Sequence, residues 1–404
     1  MAYDIEQVRS QFPSLSSGTA FFDGAAGTQT PEPVARAIYD TLVSPISNRG
    51  KGSASARHAD DVTLAAREAM GDFLNADPAG VVFGRSMTAM TFDLTRTLSA
   101  RWKPGDQIVV TSLEHDANLR PWLLAAQQAG AVVRWLDFDP KTGELPVEAI
   151  TAALNSRTKW VAITAASNVI GTKPDVAAIS AAAHKVGARV HVDAVHLAAH
   201  ELVDMQGLGA DIISCSPYKF LGPHIGVQAA STDLWHELQP AKLAPSPNSV
   251  PERFEMGTLP YELLAGVRAA VDFLAGLEPN AQGERRERLE TSMAALHEHE
   301  MQIAQALVEA VESVPGVTNY SRASERTPSV FFTVEELSAS EISSWLAQAN
   351  INAPASHFYA LEACRRLGLG EAGAVRVSAA PYSTLEEVAR FREALHAAVQ
   401  QLRD

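Results

Sequence analysis

Cysteine is almost missing from this sequence: Cys215 and Cys364 are the only thiols in 404 residues. Two thiols cannot build a disulfide framework, so a reducing compartment, the cytoplasm, is the expected setting. With so few thiols and with scattered histidines no metal-ligand cluster stands out, and no metal is expected. Positive charge is also short, with 33 Lys and Arg against 47 Asp and Glu and a formal net charge of −14. Phosphate backbones need clustered cations, so a nucleic-acid partner is disfavoured, as is an anionic membrane surface. No apolar run reaches the roughly 20 residues that span a bilayer. The opening stretch, MAYDIEQVRSQF, carries acids early and no apolar core, so no export segment is expected. Internal repeats and low-complexity tracts are lacking too.

What remains is an ordinary globular composition, 46% apolar and 20% charged, in a chain longer than one average domain. From about residue 21 to 227, short β-branched runs alternate with helical stretches. Residues 108–110 read as a strand, 121–128 as a helix, 132–136 as a strand and 160–163 as another. A helix opened by Pro174 follows, with Val176, Ile179, Ala183 and Val186 on one face and Gly187 closing it. Residues 189–192 and 212–213 are again short and apolar. Strands buried on both faces with helices between them predict a mostly parallel α/β sheet. Farther on, 259–274 and 284–314 read as helices bridging to a second unit. Short strands at 329–333 and 375–377 stand among three later helices. The last helix begins at Thr384 with Glu387 three residues on, a capping box. Its apolar stripe is Leu385, Val388, Phe391, Leu395, Val399 and Leu402. The expected division is an N-terminal segment (1–20), a large domain (21–260), then bridging helices with a smaller C-terminal α/β domain (261–404).

The chemically informative stretch is HVDAVH at 191–196 followed by SPYK at 216–219. Both leave the ends of buried strands, where open α/β sheets place ligands. An acid at one strand end and a lysine at the next can meet across one crevice. Pyridoxal 5'-phosphate (PLP) demands that pair: an amine to hold its carbonyl as a Schiff base, and a carboxylate to keep its pyridine nitrogen protonated. Taken alone, Asp193 and Lys219 say little, because most lysines are solvated surface charges. Lys219, however, sits between Tyr218 and Phe220 and ahead of Leu221, Gly222 and Pro223, a poor setting for a solubilising charge.

The runs VDAVHLAAH (192–200) and SPYKFLGPHIG (216–226) resemble fold-type I PLP enzymes of the class V aminotransferase and cysteine-desulfurase group. Other segments agree in order and spacing: FFDGAAGTQTP at 21–31, VVFGRSMTAM at 81–90, EHDANLRPW at 114–122 and SNVIGT at 167–172. RFEMGT at 253–258 and VRVSAAPYST at 375–384 complete the set, so the resemblance spans nearly the whole chain. It implies the fold-type I α/β architecture, a large domain around a mostly parallel central sheet plus a smaller C-terminal α/β domain. It also implies PLP as cofactor, an amino acid as substrate and a homodimer.

By the same resemblance, Lys219 would be the Schiff-base lysine and would later move the α-proton. Asp193 would pair with the pyridine nitrogen, and His115 would stack on the ring; the plain alternative for His115 is a histidine on a strand-end loop. His196 stands where relatives usually have Gln and would bond the ring's phenolic oxygen. Asn168 would lie near that oxygen and the substrate carboxylate. Ser216, Thr88 and Tyr218 would hold the phosphate, with backbone N–H groups of the turn at Ser86, Met87 and Thr88 opening onto a helix N-terminus. Tyr218 replaces a His usual in desulfurases. Thr258 resembles a phosphate ligand donated across a dimer interface, and Arg376 would grip the substrate carboxylate as a fork.

The pattern breaks at one place. Desulfurases of this group carry Gly-His-His-Cys-Ala around their persulfide cysteine, and here the matching stretch is Ser356-His357-Phe358-Tyr359-Ala360. Tyr359 takes the cysteine position, and a phenol with a pKa of ~10 is no sulfur nucleophile at neutral pH. Cys364 falls at an apolar helix position and Cys215 at a strand end, both read as packing. Three reactions stay open: β-elimination that cleaves a C–S bond without an enzyme thiol, transamination, and epimerisation with Tyr359 or His357 as a second acid/base. A non-catalytic binding protein on the same fold is a fourth reading. The joint presence of Lys219, Asp193, His115, Asn168 and Arg376 argues against it.

Overall fold

The computed structural model describes residues 3–403. A short strand, β1 (Ala20–Phe21), comes first and is claimed by a strand from far along the chain. Then comes a seven-stranded sheet made of β2 (Val81–Gly84), β3 (Gln107–Thr111), β4 (Val132–Leu136), β5 (Thr158–Thr164), β6 (Arg189–Asp193), β7 (Ile212–Cys215) and β8 (Gly226–Ala230). Its order is β2-β8-β7-β6-β5-β3-β4, and only β8 runs against its neighbours. The mostly parallel sheet expected from the alternating pattern is the sheet found. Val109, Val161, Val190, Val192 and Ile213 are fully buried in it, as β-branched residues covered on both faces should be. β4 departs from that pattern. As the edge strand it leaves Val132 and Trp135 partly in solvent.

The helix after β5 runs Val176–Lys185. It begins at Asp175 rather than at Pro174, because the Asp175 carboxylate accepts the Ala178 N–H at 2.9 Å and caps it. The two expected bridging helices are Tyr261–Ala275 and Arg285–Glu312. The second places Leu289, Met293 and Leu296 in one core and Ile303, Leu307 and Val311 in another. That second core underlies an antiparallel sheet of β9 (Val317–Asn319), β10 (Ser329–Val334), β12 (Ala355–Ser356) and β13 (Ala374–Ser378), in the order β12-β13-β10-β9. Between them β11 (Ile351–Asn352) pairs in parallel with β1. The capping box forms as read: Thr384 N–H donates to Glu387 (3.0 Å) and Glu387 N–H to Thr384 Oγ1 (3.2 Å). Leu385 does not join the apolar stripe. It is exposed, because the first turn of helix Leu385–Arg403 projects past the core edge that Val388 and Phe391 occupy. No helix among the described residues is long and apolar enough to cross a membrane.

The strands place the site. The chain leaves the C-terminal ends of β3, β5, β6 and β7 at residues 112–118, 165–168, 194–196 and 216–219, side by side on one rim of the sheet.

Candidate active site

A cavity with about 480 Å³ of empty space lies on that rim. Lys219, Asp193, His115 and His196 line it, as do Asn168, Ser216, Tyr218, Met87 and Thr88. Arg376, His357, Tyr359 and Thr258 do not.

Lys219 is almost fully buried, and its Nζ donates to the carbonyls of Ala25 (2.6 Å) and Ala26 (2.9 Å). Burial, with the Arg376 charge adding to it, pushes the amine down to about 7. A large share of it is thus unprotonated and nucleophilic at neutral pH. Asp193 ends β6 and accepts the Val195 N–H at 2.9 Å. Burial pushes its carboxyl up to about 6, against the pull of that hydrogen bond and of Lys219. His115 caps the short turn Asp116–Asn118, its Nδ1 accepting the Ala117 N–H at 3.0 Å. Burial holds it down to about 4, so the ring is neutral at physiological pH.

Where Met87 and Thr88 line the cavity, helix Met87–Ser99 begins behind Ser86, which caps it. Met87 is buried and Thr88 exposed. Gly226 on β8 permits this approach, since a Cβ there would lie 2.3 Å from the Ser86 carbonyl carbon. Tyr218 stacks on His224 with centroids 4.6 Å apart.

Across the cavity, Asn168 donates Nδ2 to the Phe358 carbonyl (2.9 Å) and leaves its buried Oδ1 without a partner. The His196 Nε2 meets Thr327 Oγ1 at 2.9 Å, while its Nδ1 is buried and unpartnered. Arg376 on β13 donates one Nη to the Asn168 carbonyl (2.6 Å), lies 3.7 Å over the Phe358 ring, and leaves Nε and the other Nη without partners. Burial pushes this guanidinium down to about 9.

The 356–360 turn lies beside the cavity wall, bonded to Asn168 and Asp116. Phe358 and Tyr359 are consecutive left-handed residues (φ 48° and 58°), a conformation that costs on the order of 1 kcal/mol each. Asp116 N–H to the Tyr359 carbonyl (2.7 Å) and Tyr359 N–H to His357 Nδ1 (3.0 Å) hold it. The Tyr359 side chain is exposed and its ring is 5.7 Å from that of His115. Thr258 is exposed too, away from its own chain's cavity. Cys215 and Cys364 are buried and line no part of the cavity; burial raises both thiols, that of Cys364 up to about 12.

Residue-by-residue reading of the sequence missed several groups. Glu114 is fully buried, accepts from Thr111 (2.8 Å) and Asn118 (2.7 Å), and is pushed by burial up to about 8. Asp23 takes a hydrogen bond from Asn352 (2.6 Å) and leaves its other oxygen buried and unpartnered; burial raises it although Arg376 and Lys219 pull it down. Both lie inside motifs that resembled the family, and nothing in a single sequence separates them from their neighbours. Ser329 on β10 and Thr327 just ahead of it, which hold His196, carry no signal at all.

The donor set fits PLP: a poised amine, a strand-end carboxylate, a neutral imidazole, a helix N-terminus, and unpartnered atoms on His196 and Asn168. Comparison with known proteins agrees. The aminotransferase class-V family model matches residues 20–391. The chain is 34% identical to an uncharacterized protein of Mycobacterium tuberculosis, covering 98% of this chain and 99% of that one. It is 30% identical to a cysteine desulfurase of Pectobacterium atrosepticum, covering 97% of each. The crystal structure of the cysteine desulfurase CsdA from Escherichia coli superposes with a TM-score of 0.88 at 27% identity over 100% of both chains. The chain belongs to the aminotransferase class-V family, whose enzymes use PLP.

Proposed function

We propose that this chain cleaves a carbon–sulfur bond of a cysteine-derived amino acid by β-elimination, without an enzyme persulfide. The observation that carries this reading is the placement of sulfur and oxygen around the cavity. Both thiols are buried and line no part of it, and Tyr359, its ring 5.7 Å from that of His115, stands in the stretch that resembles the persulfide-cysteine motif of desulfurases.

When bound, PLP supplies an electron sink for the pair left on the substrate α-carbon. Lys219 Nζ takes the α-proton, for which an amine lowered to about 7 is suited; the Cβ–S bond breaks with its electron pair leaving on the sulfur as a thiolate, and the aminoacrylate released is hydrolysed by water to pyruvate and ammonia. Asp193 stays charged above about pH 6 and holds a proton at the pyridine nitrogen. Arg376 offers its free Nε and Nη to the substrate carboxylate, and His115 covers the ring. Ser216, Tyr218, Thr88 and the Met87 helix end hold the phosphate. Thr258, exposed and outside the lining of its own chain's cavity, would reach the phosphate of a partner subunit in a homodimer. The cytoplasm suits a chain whose two thiols stay unpaired.

Two measurements test this. After loading with PLP and borohydride reduction, mass spectrometry should find a cofactor adduct on Lys219, lost in Lys219→Ala; no adduct on the wild type would end the reading. A panel of L-amino acids and cysteine conjugates should then give pyruvate and ammonia. Conversion to the pyridoxamine form instead would mean transamination and overturn the elimination.

A further inference from the structure

His196 is held from behind by β10 and the residue just ahead of it, and the hydroxyls there dictate which ring nitrogen carries hydrogen. Its Nε2 lies 2.9 Å from Thr327 Oγ1 and 3.3 Å from Ser329 Oγ. Ser329 gives its own hydrogen to Ser378 Oγ at 2.9 Å, and Ser378 gives its hydrogen to the Ala379 carbonyl at 3.5 Å. Thr327 directs its hydrogen to the Gly171 carbonyl at 3.4 Å. With their hydrogens so directed, both oxygens accept from His196, which places its hydrogen on Nε2, forked between them. Burial, with the nearby His200, Arg376 and Lys219, opposes a second proton on the ring. Nδ1 is then a bare lone pair, buried, without a partner and on the wall of the cavity. A buried acceptor left in that state calls for a donor on whatever occupies the cavity.

We propose that Ser329 and Thr327 are positioning residues that lock His196 as its Nε2–H tautomer, so that Nδ1 accepts a hydrogen bond from the cofactor's phenol and keeps that phenol protonated. The inference rests on the reading that the cavity holds PLP bound to Lys219. It sets this site apart from one with an amide at the same position, since an amide N–H can donate to the phenolic oxygen and an Nδ1 lone pair cannot. The phenol-protonated form absorbs at shorter wavelength than the yellow form, in which the proton has moved to the Lys219 nitrogen.

The test compares absorbance spectra of PLP-loaded wild type, His196→Gln, Ser329→Ala and the double variant Thr327→Val/Ser329→Ala at one pH, each checked for folding by circular dichroism. The yellow fraction should rise about fivefold in His196→Gln, the effect of one net hydrogen bond. It should rise similarly in the double variant, where the imidazole is free to move its hydrogen to Nδ1. Should the double variant fail to fold, His196→Gln and Ser329→Ala decide. A wild type already wholly yellow, with unchanged spectra in the variants, would overturn the proposal. A wild type with no borohydride adduct on Lys219 would bring down the cofactor reading and this inference with it.

Discussion

Arg67 and Arg376 are both buried arginines, 3% and 1% exposed, and the regions around them compensate the charge differently. Arg67 meets Glu255 through two hydrogen bonds of 2.9 Å, and Glu255 also accepts the Phe83 N–H at 3.0 Å. Glu252, Arg49 and Asp60 extend that lattice with ion pairs of 3.7, 3.3 and 2.8 Å. It pins segment 252–255 to β2 and to helix Ala54–Leu74. Arg376 has no carboxylate within 4.0 Å among the described residues, and two of its donors meet nothing. The carboxyls follow the same division. Glu255 is paired with a cation, whereas Glu114 has only neutral donors and is pushed up to about 8. Around Arg67 the charge is compensated within the fold, whereas Arg376 keeps open donors and Glu114 is met by neutral groups alone.

The largest test of this contrast is Arg67→Met. It leaves Glu255 buried without a counter-ion and should cost about 3–5 kcal/mol in urea unfolding. A loss under about 1 kcal/mol would erase the distinction. In Arg376→Leu the effect should move from folding to binding. Affinity for an amino acid, read from spectral change of the PLP-loaded protein, should fall about 100-fold, the worth of a charge-assisted pair of hydrogen bonds, while the unfolding midpoint holds. A drop in stability with unchanged affinity would reverse the assignment.

Glu114 gives a pH-dependent effect. Its folded-state value of about 8 lies above the ordinary 4.5, so the folded protein keeps a proton that the unfolded chain releases. Its contribution is complete below pH 4.5 and is lost as pH rises through about 8. Stability of Glu114→Gln should therefore fall less than wild type between pH 5 and 8. Parallel curves would show that the carboxyl is already ionised. Tyr359→Phe should be the mildest, within about 0.5 kcal/mol of wild type in thermal melting, because the side chain is exposed and the turn is held by backbone groups.

How legible these regions are in the sequence follows the range of the contacts that build them. The runs at 108–110, 160–163 and 212–213 declare buried parallel strands through Val and Ile alone, and Thr384 with Glu387 declares a helix start within four residues. The edge position of β4 and the exposure of Leu385 escape such reading, because local periodicity does not say what covers a face. At the site, Lys219 and Asp193 could be paired since each ends a strand in an ordered sheet. The tautomer of His196 could not, because Thr327 and Ser329 lie 131 and 133 residues away. Asp23 is hidden in the same way, its partner Asn352 lying 329 residues on.

The pairing of β1 with β11 has a consequence in time. The turn after β1 supplies the two carbonyls that seat the Lys219 amine, and β1 itself is stitched to Ile351 and Asn352. A chain emerging from the ribosome holds that turn early and the strand that anchors it late. Loop closure over such a separation must wait for most of the sequence to be made. The pocket is thus among the last parts of the molecule to be assembled.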